Sequence, residues 1–176
     1  MAVEQDRTIK AVRIAIQMEI DGKEYYLKAS RESSNQLGKK LLQSLAAEED
    51  IHRKKFEDIY NAIRVRSGWP IINFQPDGGK GLRTVFARTI ETVGSNIKIL
   101  ATELDAIAKA MDMENKTYDF YESQAKNAEY DAEKDFYETL AAEEREHHLI
   151  LMDYYEYLKN PAAWFVKKER PSLDGG

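Results

Sequence analysis

Apolar residues recur three or four apart from the start of the chain: Ile9, Val12, Ile16 and Ile20 line one helical stripe. The stripe predicts a first helix that continues through Tyr26 to about Ala29. Ser33, Ser34, Asn35 and Gly38 then supply a turn. A second helix is expected over 39–63, with Leu41, Leu45, Ile51, Phe56, Ile59 and Tyr60 as its core face. A third is expected over 103–128 and, after a polar turn at 129–132, a fourth over 133–158, stopped by Asn160 and Pro161. The segment between the two pairs is different in kind. Residues 67–81 are rich in Pro and Gly and read as a loop, and 82–97 as a short helix within the connection.

Within this helical pattern the chain repeats itself. Residues 45–52 read LAAEEDIH and residues 140–147 read LAAEEREH, an offset of 140 − 45 = 95. At the same offset Glu19 falls on Glu114, Met18 on Met113 and Tyr26 on Tyr121. Each half therefore carries one Glu and, 30 residues later (49 − 19; 144 − 114), a Glu-x-x-His. Two of the three histidines, His52 and His147, sit in these motifs.

Helix geometry turns the spacing into a position. From Glu19 to the turn near residue 35 is roughly 24 Å, and from that turn back to Glu49 roughly 20 Å, at 1.5 Å per residue. Antiparallel neighbours thus bring Glu19 and Glu49 to nearly one height, and the same sum holds for Glu114 and Glu144. The long segment 66–102 suits a crossover running the length of the molecule. The expected architecture is all-α: a four-helix bundle with one long crossover containing a short helix, its two hairpins related by an approximate two-fold axis. Residues 1–160 form this bundle domain. Residues 161–176 follow as a C-terminal tail whose Trp164 and Phe165 dock on the bundle or on a second subunit.

The residues at that common height carry chemistry. Glu49 and His52 share one helix face, as do Glu144 and His147. Glu19 and Glu114 lie among apolar neighbours, and a carboxylate turned into a core is costly unless paired, hydrogen-bonded or bound to metal. Two divalent cations would balance four carboxylate charges. Oxygen-rich, nitrogen-poor sites suit iron, with manganese or a mixed pair as alternatives. The candidate ligands are Glu19, Glu49, His52, Glu114, Glu144 and His147, with Glu49 and Glu144 bridging or near-bridging and Glu19 and Glu114 terminal. Tyr26 and Tyr121, two turns beyond Glu19 and Glu114, are either core or partners of ligand carboxylates, the latter being a catalytic neighbourhood. Glu48, Glu143 and His148 read as solvated or as neighbours of the ligands.

Composition narrows the rest. A net charge of −5, with no long basic run, argues against general nucleic-acid or anionic-membrane binding. No stretch approaches the roughly 20 apolar residues of a membrane span, and the first residues do not read as a signal peptide. Cys is absent, which removes disulfides, thiol catalysis and iron–sulfur ligation and fits a reducing cytoplasm.

Through Glu19, EEDIH at 48–52, Glu114, EEREH at 143–147, and Tyr26 and Tyr121, residues 8–158 resemble the rubrerythrin family of the ferritin-like superfamily. The resemblance implies a non-haem di-iron centre, two irons per chain, reacting with peroxide or dioxygen in defence against oxidative stress. It also implies a homodimer or larger assembly. Two departures stand out. The rubredoxin-like domain common in the family needs Cys ligands, so electrons would come from a separate donor protein such as a rubredoxin. A further Glu, common one turn after the third-helix ligand, is Thr117 here. A ferroxidase or iron-handling role, and a metal-dependent sensor acting through the tail, are the alternatives to peroxide reduction; a purely structural bundle leaves the doubled motif unexplained.

Overall fold

The computed structural model describes residues 2–66 and 68–169. Its regular elements are all helices: α1 (Ala2–Glu32), α2 (Gln36–Val65), α3 (Lys80–Val93), α4 (Ala101–Lys126), α5 (Asp131–Lys159) and α6 (Pro161–Glu169). The most extensive pairings are α1 with α2 and α4 with α5, the two expected hairpins. They assemble into a ferritin-like four-helix bundle, with α3 inside the connection. Among the described residues no helix is long and apolar enough to cross a membrane.

The first hairpin turns tightly because its polar residues replace lost helix hydrogen bonds. Asn35 caps α2, its side chain accepting from the Gly38 N–H at 2.9 Å. Glu103, buried at the start of α4, accepts from Ser33 Oγ (2.6 Å), Ser34 Oγ (2.7 Å) and the Ser34 N–H (3.1 Å). Tyr154 of α5 donates to the same carboxylate at 2.5 Å. One acid thus ties the α1–α2 turn to both helices of the second hairpin.

The crossover runs from one end of the bundle to the other. At its start Trp69 packs on Phe136 and Tyr137 of α5, with ring centroids 5.9 and 5.6 Å apart. At its end the Lys98 carbonyl accepts from Ser34 Oγ, beside the α1–α2 turn. Between these, α3 buries Leu82, Phe86 and Ile90, spaced four apart, against the bundle. Gly94 ends α3 at a φ of 68°, a left-handed conformation favouring glycine. The connecting helix is thus displaced from the expected 82–97.

The segment after Asn160 is helical where a tail was expected. Pro161 suits the first helical position, and the Asn160 side chain accepts from the Ala163 N–H at 3.1 Å. Trp164 packs on Phe86 of α3 and Tyr157 of α5 (5.7 and 6.1 Å), and Phe165 on Tyr157 (6.3 Å), so α6 fastens the crossover to the bundle. Residues 170–176 of the expected tail lie outside the described residues.

Ile51 corrects the expected core. It is 48% exposed. The inward face of α2 is set by Leu45, Glu49, His52, Phe56 and Ile59, all buried, and Ile51 stands about 200° around the helix from Glu49.

The packed interior has two apolar clusters. One contains Tyr26, Leu41, Leu45, Ile107, Ala110, Ile150 and Tyr154. The other contains Val12, Ala15, Phe56, Ile59, Tyr121, Tyr137 and Ala141. On all four long helices the repeated Glu and His residues fall between the two clusters.

Candidate metal centre

Glu19 and Tyr26 come from α1, Glu49 and His52 from α2, Glu114 and Tyr121 from α4, and Glu144 and His147 from α5. All eight are buried. The ligand-type atoms fall into two overlapping groups, each within 4.8 Å: Glu19, Glu49, His52 and Glu144, and Glu49, Glu114, Glu144 and His147. Glu49 and Glu144 belong to both. Each hairpin supplies the remaining Glu and His of one group. The histidine rings stack nearly parallel, 5.6 Å apart at an angle of 9°.

The contacts inside this cluster are close but incomplete. His52 Nδ1 lies 3.2 Å from Glu144 Oε1 and 3.5 Å from Glu19 Oε2. His147 Nδ1 lies 3.0 Å from Glu49 Oε1 and 3.6 Å from Glu114 Oε1. Yet Glu19 Oε2, Glu49 Oε1, His52 Nδ1, Glu114 Oε2, Glu144 Oε1 and His147 Nδ1 make no hydrogen bond. These are six of the eight such buried side-chain atoms among the described residues, one from each of the six residues. Native interiors rarely leave polar atoms unpaired, and each costs about 1–3 kcal/mol. Six convergent lone-pair atoms, four from carboxylates, fit divalent cations.

Outside the cluster, each partner's role follows from its geometry. The Tyr26 hydroxyl donates to Glu114 and the Tyr121 hydroxyl to Glu19, so each tyrosine serves the opposite hairpin. Burial, then the facing carboxylates, raises both phenols well above their ordinary range, keeping them protonated donors. Glu48 Oε2 lies 2.7 Å from His147 Nε2, which turns Nδ1 toward the centre. Phe74 of the crossover stands edge-on to His52 at 5.8 Å.

The carboxylates differ electrostatically. Burial, and then neighbouring carboxylates, raises Glu49 and Glu144 well above the usual range. For Glu114 burial acts upward, but the charge of the adjacent His147, with the neighbouring Glu144 carboxyl and the Tyr26 hydroxyl, outweighs it and lowers it to about 2. Glu19 is also lowered: His52, Glu49 and Tyr121 overcome its burial. Burial pulls His147 downward, but Glu114, Glu48 and Glu49 raise it well above its ordinary value. The upward direction at Glu49 and Glu144 is that of buried carboxylates lacking a counter-charge, which a cation would supply.

The six doubled Glu and His residues taken as ligand candidates therefore meet at one level. The departures are second-order. Thr117 donates to the Met113 carbonyl of its own helix at 3.1 Å. His148 is half-buried against the Met111 carbonyl (3.2 Å), away from the cluster. Sequence reasoning missed Phe74, because loop residues carry no periodicity. It also missed Gly22, where a Cβ would stand 3.2 Å from Glu49 Oε2. The doubling of Glu48 and Glu143 was the signal for the Glu48–His147 contact.

Residues 10–155 match the family described as Rubrerythrin. The match covers most of the chain, which belongs to that family. No curated protein and no solved structure is significantly similar to it.

Proposed function

We propose that this member of the rubrerythrin family is a di-iron oxidoreductase that reduces peroxide, or dioxygen, with electrons from a separate donor protein. The observation that carries the reading is the convergence of six unpaired ligand atoms, one from each of Glu19, Glu49, His52, Glu114, Glu144 and His147. Glu19 and His52 would hold one iron, Glu114 and His147 the other, and Glu49 and Glu144 both. When bound, a ferrous pair supplies two electrons together, so that the peroxide O–O bond is cleaved to water without release of a one-electron product.

The protein's own residues set the conditions. Tyr26 and Tyr121 fix the orientation of Glu114 and Glu19 through buried hydrogen bonds. Glu48 fixes the His147 ring. The two apolar clusters above and below exclude bulk water along the bundle axis. With no Cys in the chain, the donor is a separate redox protein of rubredoxin type. The expected setting is the cytoplasm, and the expected assembly a homodimer.

Thr117 favours a second reading. It presents no carboxylate one turn beyond Glu114, and its hydroxyl is spent on its own helix. Oxidation of Fe(II) as substrate, without a reductase, needs only the six ligands. Rapid mixing of the anaerobic Fe(II)-loaded chain with peroxide or with dioxygen separates the two, read by optical absorption. Faster oxidation by peroxide supports the peroxidase reading; faster oxidation by dioxygen supports ferroxidase chemistry.

A further inference from the structure

The 95-residue repeat breaks at one informative place. Glu48 and Glu143 are counterparts, as are His147 and His52. Glu48 reaches across to His147 Nε2, so symmetry would have Glu143 reach His52. It does not. Glu143 lies instead beside Glu48, with carboxylate oxygens of the two and a ring nitrogen of His147 all within 4.8 Å. Glu143 is 4% exposed, and no hydrogen bond or ion pair holds its carboxylate among the described residues. Two carboxylates side by side at the pocket wall, with no hydrogen bond or counter-charge between them, repel each other, and a cation between them relieves that repulsion.

The place where these acids meet is open to solvent on one side. A pocket of about 370 Å³ between α2, α5 and the crossover is lined by Glu48, Glu143, His52, Asp77, Lys55 and Phe74, among others. Its charged groups are three carboxylates against one ammonium. Asp77 is occupied by the N–H groups of Gly79 and Gly81, both at 2.9 Å. Lys55 points to the Asn73 carbonyl at 3.4 Å. Glu48 spends Oε2 on His147 and keeps Oε1. The free acidic capacity therefore belongs to Glu48 and Glu143, at the inner wall that the pocket shares with the centre. Acid-lined clefts concentrate cations and speed their entry.

We propose that Glu48 and Glu143 form a third, transit site for a divalent cation, through which ions pass from the pocket to the two-ion centre. The proposal rests on the reading of that centre as a two-metal site. Two carboxylates and solvent make a weaker site than four carboxylates and two imidazoles, as passage requires.

Mn(II) serves as the probe with the full chain. In an electron-paramagnetic titration of free Mn(II), the protein should take up two tightly held ions and a weaker third. Glu143→Gln should keep the two tight ions, lose the third and fill the centre about tenfold more slowly. Asp119→Asn, on an exposed face, should match the unaltered protein. Anomalous scattering from Mn(II)-treated crystals should show a peak between Glu48 and Glu143. An unchanged third ion and filling rate in Glu143→Gln, or no peak there beside an occupied centre, would overturn the transit site alone. A titration with no tight ions at all would overturn the two-metal reading and the transit site with it.

Discussion

Tyr26 of α1 donates its hydroxyl to Glu114 of α4, across the bundle, and not to any acid of its own hairpin. Tyr121 mirrors it by donating to Glu19. The two hairpins are thus interlocked through the carboxylates of the candidate metal centre.

The interlock makes a selective prediction. Tyr26→Phe removes one hydrogen bond to Glu114 while keeping the ring that packs in the core. It should weaken the ion held by Glu114 and His147 by about 10–100-fold and leave the ion at Glu19 and His52 less affected. Tyr121→Phe should do the reverse. Stepwise Mn(II) titration resolves the two; equal loss at both positions in either variant would contradict the assignment.

Gly22 and Gly38 separate function from folding. Both are helical, so alanine raises intrinsic helix propensity by up to about 1 kcal/mol. At Gly22 the added carbon meets Glu49 Oε2 at 3.2 Å, beside the shared carboxylate. Gly22→Ala should therefore lower metal affinity without lowering the melting temperature of the metal-free chain. Calorimetry with and without Mn(II) checks both parts.

At Gly38 the added carbon would overlap Ser33 Oγ and the Tyr154 hydroxyl and lie 2.8 Å from Glu103 Oε1. All three belong to the network that closes the bundle end. Gly38→Ala should cost roughly 2–4 kcal/mol in denaturant unfolding, a loss that metal does not selectively restore.

Acidity should stabilise the metal-free chain and shrink the stabilisation that metal adds. Glu49 and Glu144 have folded pKa values above the ordinary 4.5. Their contribution is fully present below that value and is lost as pH rises toward the folded values. His147, raised above 6.5, acts in the same direction above neutrality. Glu114, lowered to about 2, contributes above 4.5 and is lost as pH falls toward 2. The metal-free melting temperature should therefore fall from about pH 5 to pH 8. The increase on adding Mn(II) should grow over the same range, because the metal displaces those protons. Thermal melts across that range check it; a metal-free melting temperature that rises with pH would contradict the ionisation pattern.

Much of this was legible in the sequence because two periodicities coincide. Helical spacing gave four long helices, and the repeat from Glu19 to His52 and Glu114 to His147 set them in register. Glu49 and Glu144, expected to be shared between two ions, are the two residues common to both ligand groups. What escaped had no repeat to mark it. Glu103 has no counterpart in the duplication, so its closure of the α1–α2 turn could not be read. The segment from Pro161 looked like a tail because nine residues hold too little pattern, and its helix is fixed by Trp164 meeting Phe86 and Tyr157. Glu143, which does not reach His52 as Glu48 reaches His147, departs from the very symmetry that made the rest readable.

Anaerobic Fe(II) titration of the full chain, followed by metal analysis after removal of unbound iron, tests the central claim most directly. The account predicts about two irons per chain, and none in the Glu49→Ala, Glu144→Ala double variant, because both ions depend on those two carboxylates. No stoichiometric iron in the unaltered protein, or two irons retained in the double variant, would contradict it.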